Sequence, residues 1–145
     1  TVREREEGYR AALREAGISH DGMCITVDWQ KAAETKKRID ILLDYHRITA
    51  VIVLNNSIVG EFLNVLDERK MSFPEQISVV TWDDEEHNIY MKMTSVRQPC
   101  RKMGELAATS LIEQIESDSP QQEELTITLN QTLVKRESCR INKTY

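Results

Sequence analysis

Five consecutive apolar residues, Ala50-Val-Ile-Val-Leu54, constrain this chain more than any other feature in it. An uninterrupted run of that length reads as a strand covered on both faces, and such strands belong to parallel sheets with helices above and below. The neighbouring segments fit that sheet. Met23-Cys-Ile-Thr-Val27 and Ile77-Ser-Val-Val80 read as further short strands. Three helices are predicted between and around them, at residues 3–16 (Tyr9, Leu13 and Ala16 on one face), 31–44 (Ala32, Ile39, Leu42, Leu43) and 58–70 (Val59, Phe62, Leu63, Leu66). Thr1-Val-Arg-Glu4 has capping-box spacing and Gly17 supplies a stop for the first helix. Alternating helix and strand with short connections gives an α/β fold, a parallel sheet with helices on both faces.

After Trp82 the rhythm changes. A loop is expected to Met93, an extended piece at Thr94-Ser-Val96, and an amphipathic helix from Lys102 to Ser117 with Met103, Leu106, Ala107, Leu111 and Ile115 on one face. A polar connector then leads to two strands, Leu125–Leu129 and Thr132–Lys135, with Asn130-Gln131 as a tight turn between them.

With 145 residues, the chain can form one domain with a core, or two small lobes. A net charge of −5 excludes gripping nucleic acid through these residues alone, because phosphate binding needs a concentrated basic face. No apolar run reaches the length of a membrane span and no charged-then-apolar leader opens the chain, so no membrane partner is expected. Cys24, Cys100 and Cys139 are odd in number and far apart, which reads as a reducing, cytoplasmic compartment without a disulfide framework. There is no Gly-x-Ser-x-Gly elbow, His-Glu-x-x-His pair, Walker loop or Gly-x-Gly-x-x-Gly turn, and His20, His46 and His87 are scattered. Neither a catalytic residue, a metal nor a cofactor is expected; a metal-dependent hydrolase built on Asp83 and Asp84 is the weakest of the rival readings.

In open parallel sheets, ligands collect outside the carboxyl ends of the strands. Three such ends are legible: Asp28-Trp29, Asn55-Asn56 and Trp82-Asp83-Asp84. Indoles offer faces for stacking, while amide and carboxylate oxygens accept from hydroxyls. The set suits a polyhydroxylated or planar polar ligand. Each member also has a plainer role: Asp28 and Asn55 as helix caps, Trp29 and Trp82 as edge-of-core aromatics, and the acids 83–86 as a solvated loop.

The order of motifs resembles the C-terminal part of the LacI/GalR (lactose-repressor) family of transcription regulators. The matching stretches are Arg5-Glu-Glu-Gly8-Tyr9, Asp28-Trp29, Thr49-Ala-Val-Ile-Val-Leu-Asn-Asn56, Phe73-Pro-Glu-Gln-Ile-Ser-Val-Val80, Trp82-Asp-Asp84, Met93-Thr-Ser-Val-Arg-Gln-Pro99 with Met103-Gly104, and Leu133-Val-Lys-Arg136-Glu-Ser138. The resemblance implies a type I periplasmic-binding-protein-like module. It has two α/β lobes joined by crossing strands, with a sugar-like effector in the cleft. It implies effector contacts at Arg5, Trp29, Asn55 and Asp83, and leaves Asp84 to Glu86 as the solvated start of the following loop. Residues 1–93 would form the second lobe, 94–118 a crossover segment and helix of the first lobe, and 119–145 the returning strands and tail. The crossover helix, without its own sheet, is expected to dock on the lobe or on a partner chain.

The DNA-binding head and most of the first lobe lie outside these residues, so operator DNA would be a partner only through an N-terminal domain. A homodimer is implied, with residues 58–70 and the loop after Asp84 as its surface; Phe62 and Leu66 read equally as core. The sequence departs from the family at Asn56, where an aspartate is usual, and at Thr81-Trp82, where Gly-Tyr/Phe is usual. A solute-binding protein of a sugar transport system is the alternative on the same fold.

Overall fold

The computed structural model describes residues 2–19, 23–28, 30–45, 48–117 and 126–141. In chain order these form α1 (Val2–Glu15), α2 (Ala32–Tyr45), β1 (Ala50–Val53), a 3-10 turn (Asn56–Ile58), α3 (Val59–Glu68), β2 (Ser78–Trp82), α4 (Glu86–Tyr90), β3 (Thr94–Arg97), α5 (Cys100–Glu116) and β4 (Thr132–Val134). The strands lie side by side in the order β1-β2-β3-β4. The first three are parallel, and β4 closes the edge antiparallel to β3. Helix α1 ends as its glycine predicts. Gly17 takes φ +68, and Ile18 N–H reaches back to the Leu13 carbonyl at 2.9 Å, closing the last turn.

Register assigns the two sheet faces. Val51 lies opposite Val79 and Val53 opposite Thr81, which in turn lies opposite Ser95; these residues share one face. Against it pack Ile39 and Leu43 of α2 and Val59, Phe62, Val65 and Leu66 of α3, joined by Ile77 and Met93. Phe62 and Leu66 therefore belong to the core. The opposite face carries Ile52, Val80, Trp82, Val96 and Leu133, and it is much more open: Ile52 is 43% and Leu133 51% exposed. α1 reaches that side at its carboxyl edge and buries none of its own residues.

Four segments differ from expectation. Residues 23–27 form no ladder. The Thr26 carbonyl accepts from the Arg38 guanidinium, and the Asp28 carbonyl from Lys31 N–H and Thr35 Oγ1, each at 2.9 Å. These bonds tie the segment to α2, while Ile25 still packs on the core. Of 125–129, the described residues 126–129 are also not a strand, and the alternation of Thr126, Ile127 and Thr128 has no buried face to serve, since Ile127 is exposed. The expected loop after Trp82 contains α4, anchored by the fully buried Asn88. Finally, α5 begins at Cys100 and has no buried residue. Its apolar residues Leu111, Ile112 and Ile115 are each more than half exposed. Of the two dockings expected, on the lobe or on a partner chain, the described residues show none on the lobe.

The largest correction concerns Asp84. Far from starting a solvated loop, its side chain is 3% exposed. Arg136 holds it in a fork, Nη1 to Oδ1 at 2.7 Å and Nη2 to Oδ2 at 3.1 Å. Arg97 donates Nε and Nη2 to Oδ2 at 2.9 and 2.6 Å, and the Ser95 hydroxyl donates to Oδ1. Arg136 Nη1 also reaches the Met93 carbonyl at 2.8 Å. One carboxylate thus ties the end of β2 to β3 and to the chain following β4. Two residues further on, Ser138 Oγ donates to the Val79 carbonyl at 2.5 Å and accepts from Thr94 N–H at 2.8 Å, bridging β2 and β3.

The bonds from Arg136, then those from Ser95 and Arg97, hold the Asp84 carboxyl well below the usual carboxylate range, with burial opposing them. A folded-state pKa below the unfolded value of about 3.9 makes the unfolded chain bind more protons as pH falls. The stabilisation is complete above pH ~4 and is lost progressively below it. Replacing Asp84 by Asn leaves Arg136 without its counter-charge and is expected to cost about 3 kcal/mol at pH 7, the half-exposed Arg97 adding little. Urea unfolding at pH 7 and pH 3 checks this: the gap between wild type and Asp84→Asn narrows at the lower pH. For Ser138→Ala a loss of about 1–2 kcal/mol is expected, because a buried amide and carbonyl lose a shared partner.

Candidate functional site

The three parallel strands deliver their carboxyl ends to one edge, and α1 stands beside it. Between them lies a cavity of ≈ 480 Å³ lined by Glu4, Arg5, Gly8 and Tyr9 of α1, Ile52 and Leu54 at β1, Trp82 at the end of β2, and Gln98 and Gln131. Ile52, Trp82 and Leu133 share the open sheet face, so the cavity sits where α1 only partly covers apolar strand residues.

Arg5 is central. Its Nη1 donates to the Leu54 carbonyl at 2.8 Å, and its guanidinium carbon lies 4.8 Å from the Trp82 ring centroid. The carbonyl belongs to the first residue after β1, where the ladder ends and its oxygen needs a donor. The indole face attracts the cation. Both contacts hold the planar fork in place with donors to spare for a ligand. Trp82 Nε1 is buried with no acceptor among the described residues. Burial pushes the Tyr9 phenol up from its ordinary value, so it is a neutral hydroxyl at physiological pH.

Asp83 stands one bond behind the cavity. It takes φ +66, a conformation Asp tolerates better than most residues. That turn sends the two neighbouring carboxylates apart: Asp84 to the Arg136 clamp, Asp83 to Gln98, whose Nε2 donates to Asp83 Oδ1. Gln98, not Asp83, lines the cavity. The turn is held by a buried relay. Thr81 Oγ1 donates to Asn88 Oδ1 at 2.9 Å, and Asn88 Nδ2 donates to the Asp83 carbonyl at 2.8 Å. Thr81 anchors this relay with its hydroxyl.

Asn55 caps the 3-10 turn, its Oδ1 accepting from Ser57 N–H at 2.9 Å, and it does not line the cavity. Asp28 likewise accepts from Gln30 N–H at 3.0 Å. Trp29 lies outside the described residues. Of the four predicted contacts, Arg5 is in the cavity, Asp83 adjoins it through Gln98, and Asn55 is occupied locally. Sequence reading missed Tyr9, Gln98 and Gln131 as lining residues. Gln98 directly follows the carboxyl end of β3, the kind of position where ligands collect in a parallel sheet.

Chemically, the cavity offers a fixed guanidinium, the Glu4 carboxylate, a phenol and amides beside the Trp82 indole. It is equipped to bind by hydrogen bonding and stacking. Among the described residues no group of three or more His, Cys, Asp or Glu is placed to hold a metal ion. No described helix is long and apolar enough to cross a membrane.

A family model described as periplasmic binding protein-like domain matches residues 1–139. The ribose operon repressor of Escherichia coli K12 is 32% identical over 130 residues, covering 88% of this chain and 39% of the repressor. A LacI-family regulator from Enterococcus faecium, solved with bound ribose, superposes with a TM-score of 0.77 at 27% identity, covering 95% of this chain and 51% of that one. The transcriptional regulator CelR in complex with cellobiose gives a TM-score of 0.76 at 31% identity, covering 93% of this chain and 42% of that one. The chain spans about two-fifths to half the length of these relatives. It belongs to the periplasmic binding protein-like domain family, in the form carried by the effector-binding domains of LacI-family regulators.

Proposed function

We propose that this chain is the greater part of one effector-sensing lobe of a cytoplasmic transcription regulator, and that its effector is a sugar or sugar derivative seated in the α1 cavity. The observation that carries the reading is Arg5, pinned to the carboxyl end of β1 and to Trp82 with hydrogen-bond donors left over. Relatives and structural neighbours with ribose or cellobiose in their names support a hydroxylated ligand. Their description as repressors and regulators favours this reading over transport and over enzymatic chemistry.

Arg5 is the principal contact, with Trp82 beside it. Asp83 acts at the rim through Gln98. Asn55 and Trp29 complete the strand-end set proposed from the family pattern. Residues 1–93 and the returning segment 119–145 belong to this lobe. So does β3, which pairs with β2 and β4 in its sheet and moves the boundary expected at residue 94 to the end of that strand. The chain crosses to the other lobe after it. The exposed apolar side chains of α5 are what a helix destined for the other lobe would present. The effector changes operator affinity only insofar as it binds the two closure states unequally, typically by a coupling of about 1–3 kcal/mol.

The regulator acts as a homodimer. With Phe62 and Leu66 in the core, α3 keeps little apolar surface for a partner. Ile89, Tyr90 and Met91, at 55, 76 and 41% exposure, make the apolar surface of the loop after Asp84.

Two measurements on the full-length protein test the proposal. Calorimetric titration with D-ribose, cellobiose and other sugars is expected to yield a binder whose affinity drops about tenfold or more in Arg5→Ala, the loss of a charge-assisted bond. Unchanged affinity in that variant would remove the cavity from consideration. In sedimentation equilibrium, Tyr90→Asp is expected to weaken the dimer by at least about tenfold, since it places a charge in an apolar contact.

A further inference from the structure

One wall of the cavity comes from neither α1 nor the ends of the parallel strands. Gln131 lines it, on the chain that enters β4. Register explains how it arrives there. Thr132 lies opposite Arg97 in the antiparallel pair, so Gln131, one residue earlier, stands at the carboxyl edge of the sheet. The backbone that follows it is held. Arg97 is bonded to Asp84, and Arg136, just beyond β4, is forked to the same carboxylate. The described residues that precede it, 126–130, form no strand. Gln131 therefore marks the junction where the returning chain joins the sheet. Its side chain is exposed, and its amide has no hydrogen-bond partner among the described residues. An exposed glutamine is ordinarily a solvated one; what distinguishes Gln131 is its place on the cavity wall.

We propose that Gln131 is a further effector-contacting residue, through which the ligand grips the chain returning from the other lobe. This rests on the reading that the α1 cavity seats the effector. At ≈ 480 Å³ the cavity lies toward the lower end of the roughly 300–1,000 Å³ of small-molecule sites, so a ligand held by Arg5 on one wall reaches Gln131 on another. The walls differ in chemistry. Arg5 only donates and the Glu4 carboxylate only accepts, whereas a primary amide does both. A hydroxyl also does both, so it pairs with Gln131 whichever end the amide presents. The contact has a consequence for sensing. α1, β1 and β2 belong wholly to this lobe, while Gln131 sits where the chain arrives from the other. A ligand touching both favours one direction of that arriving segment, and this supplies the unequal affinity for two closure states that coupling requires.

Calorimetric titration of the full-length protein with D-ribose, and with cellobiose as a second probe, tests the assignment. For a sugar that binds, Gln131→Ala is expected to weaken affinity about fivefold and Arg5→Ala about tenfold or more. Because Gln131 is exposed, the melting temperature of Gln131→Ala without sugar is expected to match that of wild type. A clear fall would give the residue a structural part and overturn the proposal. Independently, the thiol introduced by Gln131→Cys is expected to react with iodoacetamide at a rate that saturating sugar lowers at least about fivefold. Peptide mass spectrometry separates it from Cys24, Cys100 and Cys139. If Arg5→Ala is weakened while Gln131→Ala binds like wild type, or while sugar leaves the alkylation unchanged, this inference fails and the cavity reading stands. Unchanged affinity in both variants overturns both, as does binding of neither sugar.

Discussion

The buried carboxylate of Asp84 is the interaction on which the rest of this lobe depends. It accepts from Arg136, Arg97 and Ser95, which lie on β3 and on the chain following β4. A parallel sheet of short strands has no hairpins to fix its register, so distant segments need cross-links of this kind. The clamp sits at the carboxyl edge, where the chain leaves for α5 and where it returns. Its position one residue from Asp83 couples scaffold and site: the same turn that buries Asp84 frees Asp83 to orient Gln98.

The cavity's chemistry follows from incomplete cover. One sheet face is closed by α2 and α3 around Val65, Ile77 and Val79, all fully buried. The other is reached only by α1 and keeps Ile52 and Leu133 largely accessible. Polar groups gather along the edge of that open face: Arg5 from the helix, Trp82 from the strand end, Gln98 and Gln131 from the crossing segments. A site so arranged closes around its ligand only when a second surface meets it. That is the physical requirement behind a two-lobed sensor.

Much of this was legible in the sequence, and the failures have physical causes. The helical spacing at 59–66 located the core and the apolar run at 50–54 located β1, but the cover expected on both faces of that strand is absent: β1 is an edge strand and Ile52, on the open face, is 43% exposed. Arg5 was legible through the family pattern and stands in the cavity. The fate of Asp83 and Asp84 was not. Alternation predicts opposite faces for adjacent residues, but a positive φ at Asp83 redirects both, and nothing in the letters Asp-Asp announces it. Asp84's burial depended on Arg97 and Arg136, charges up to 52 residues away. The strand expected at 23–27 forms no ladder; the Thr26 carbonyl accepts instead from Arg38 of α2, a tertiary contact that local propensity does not register. Gln98 was overlooked because an amide just beyond the end of β3 carries no charge signature.

The central claim is that the cavity between α1 and the ends of β1 and β2 is where the effector binds. The most direct measurement is a crystal structure of the full-length protein with the sugar that most raises its melting temperature in a thermal-shift screen. The account predicts that sugar against Arg5 and Trp82, within the cavity lined by α1 and the ends of β1 and β2. Sugar density elsewhere, with Arg5 still bonded only to the Leu54 carbonyl and Trp82 Nε1 still without an acceptor, would contradict it.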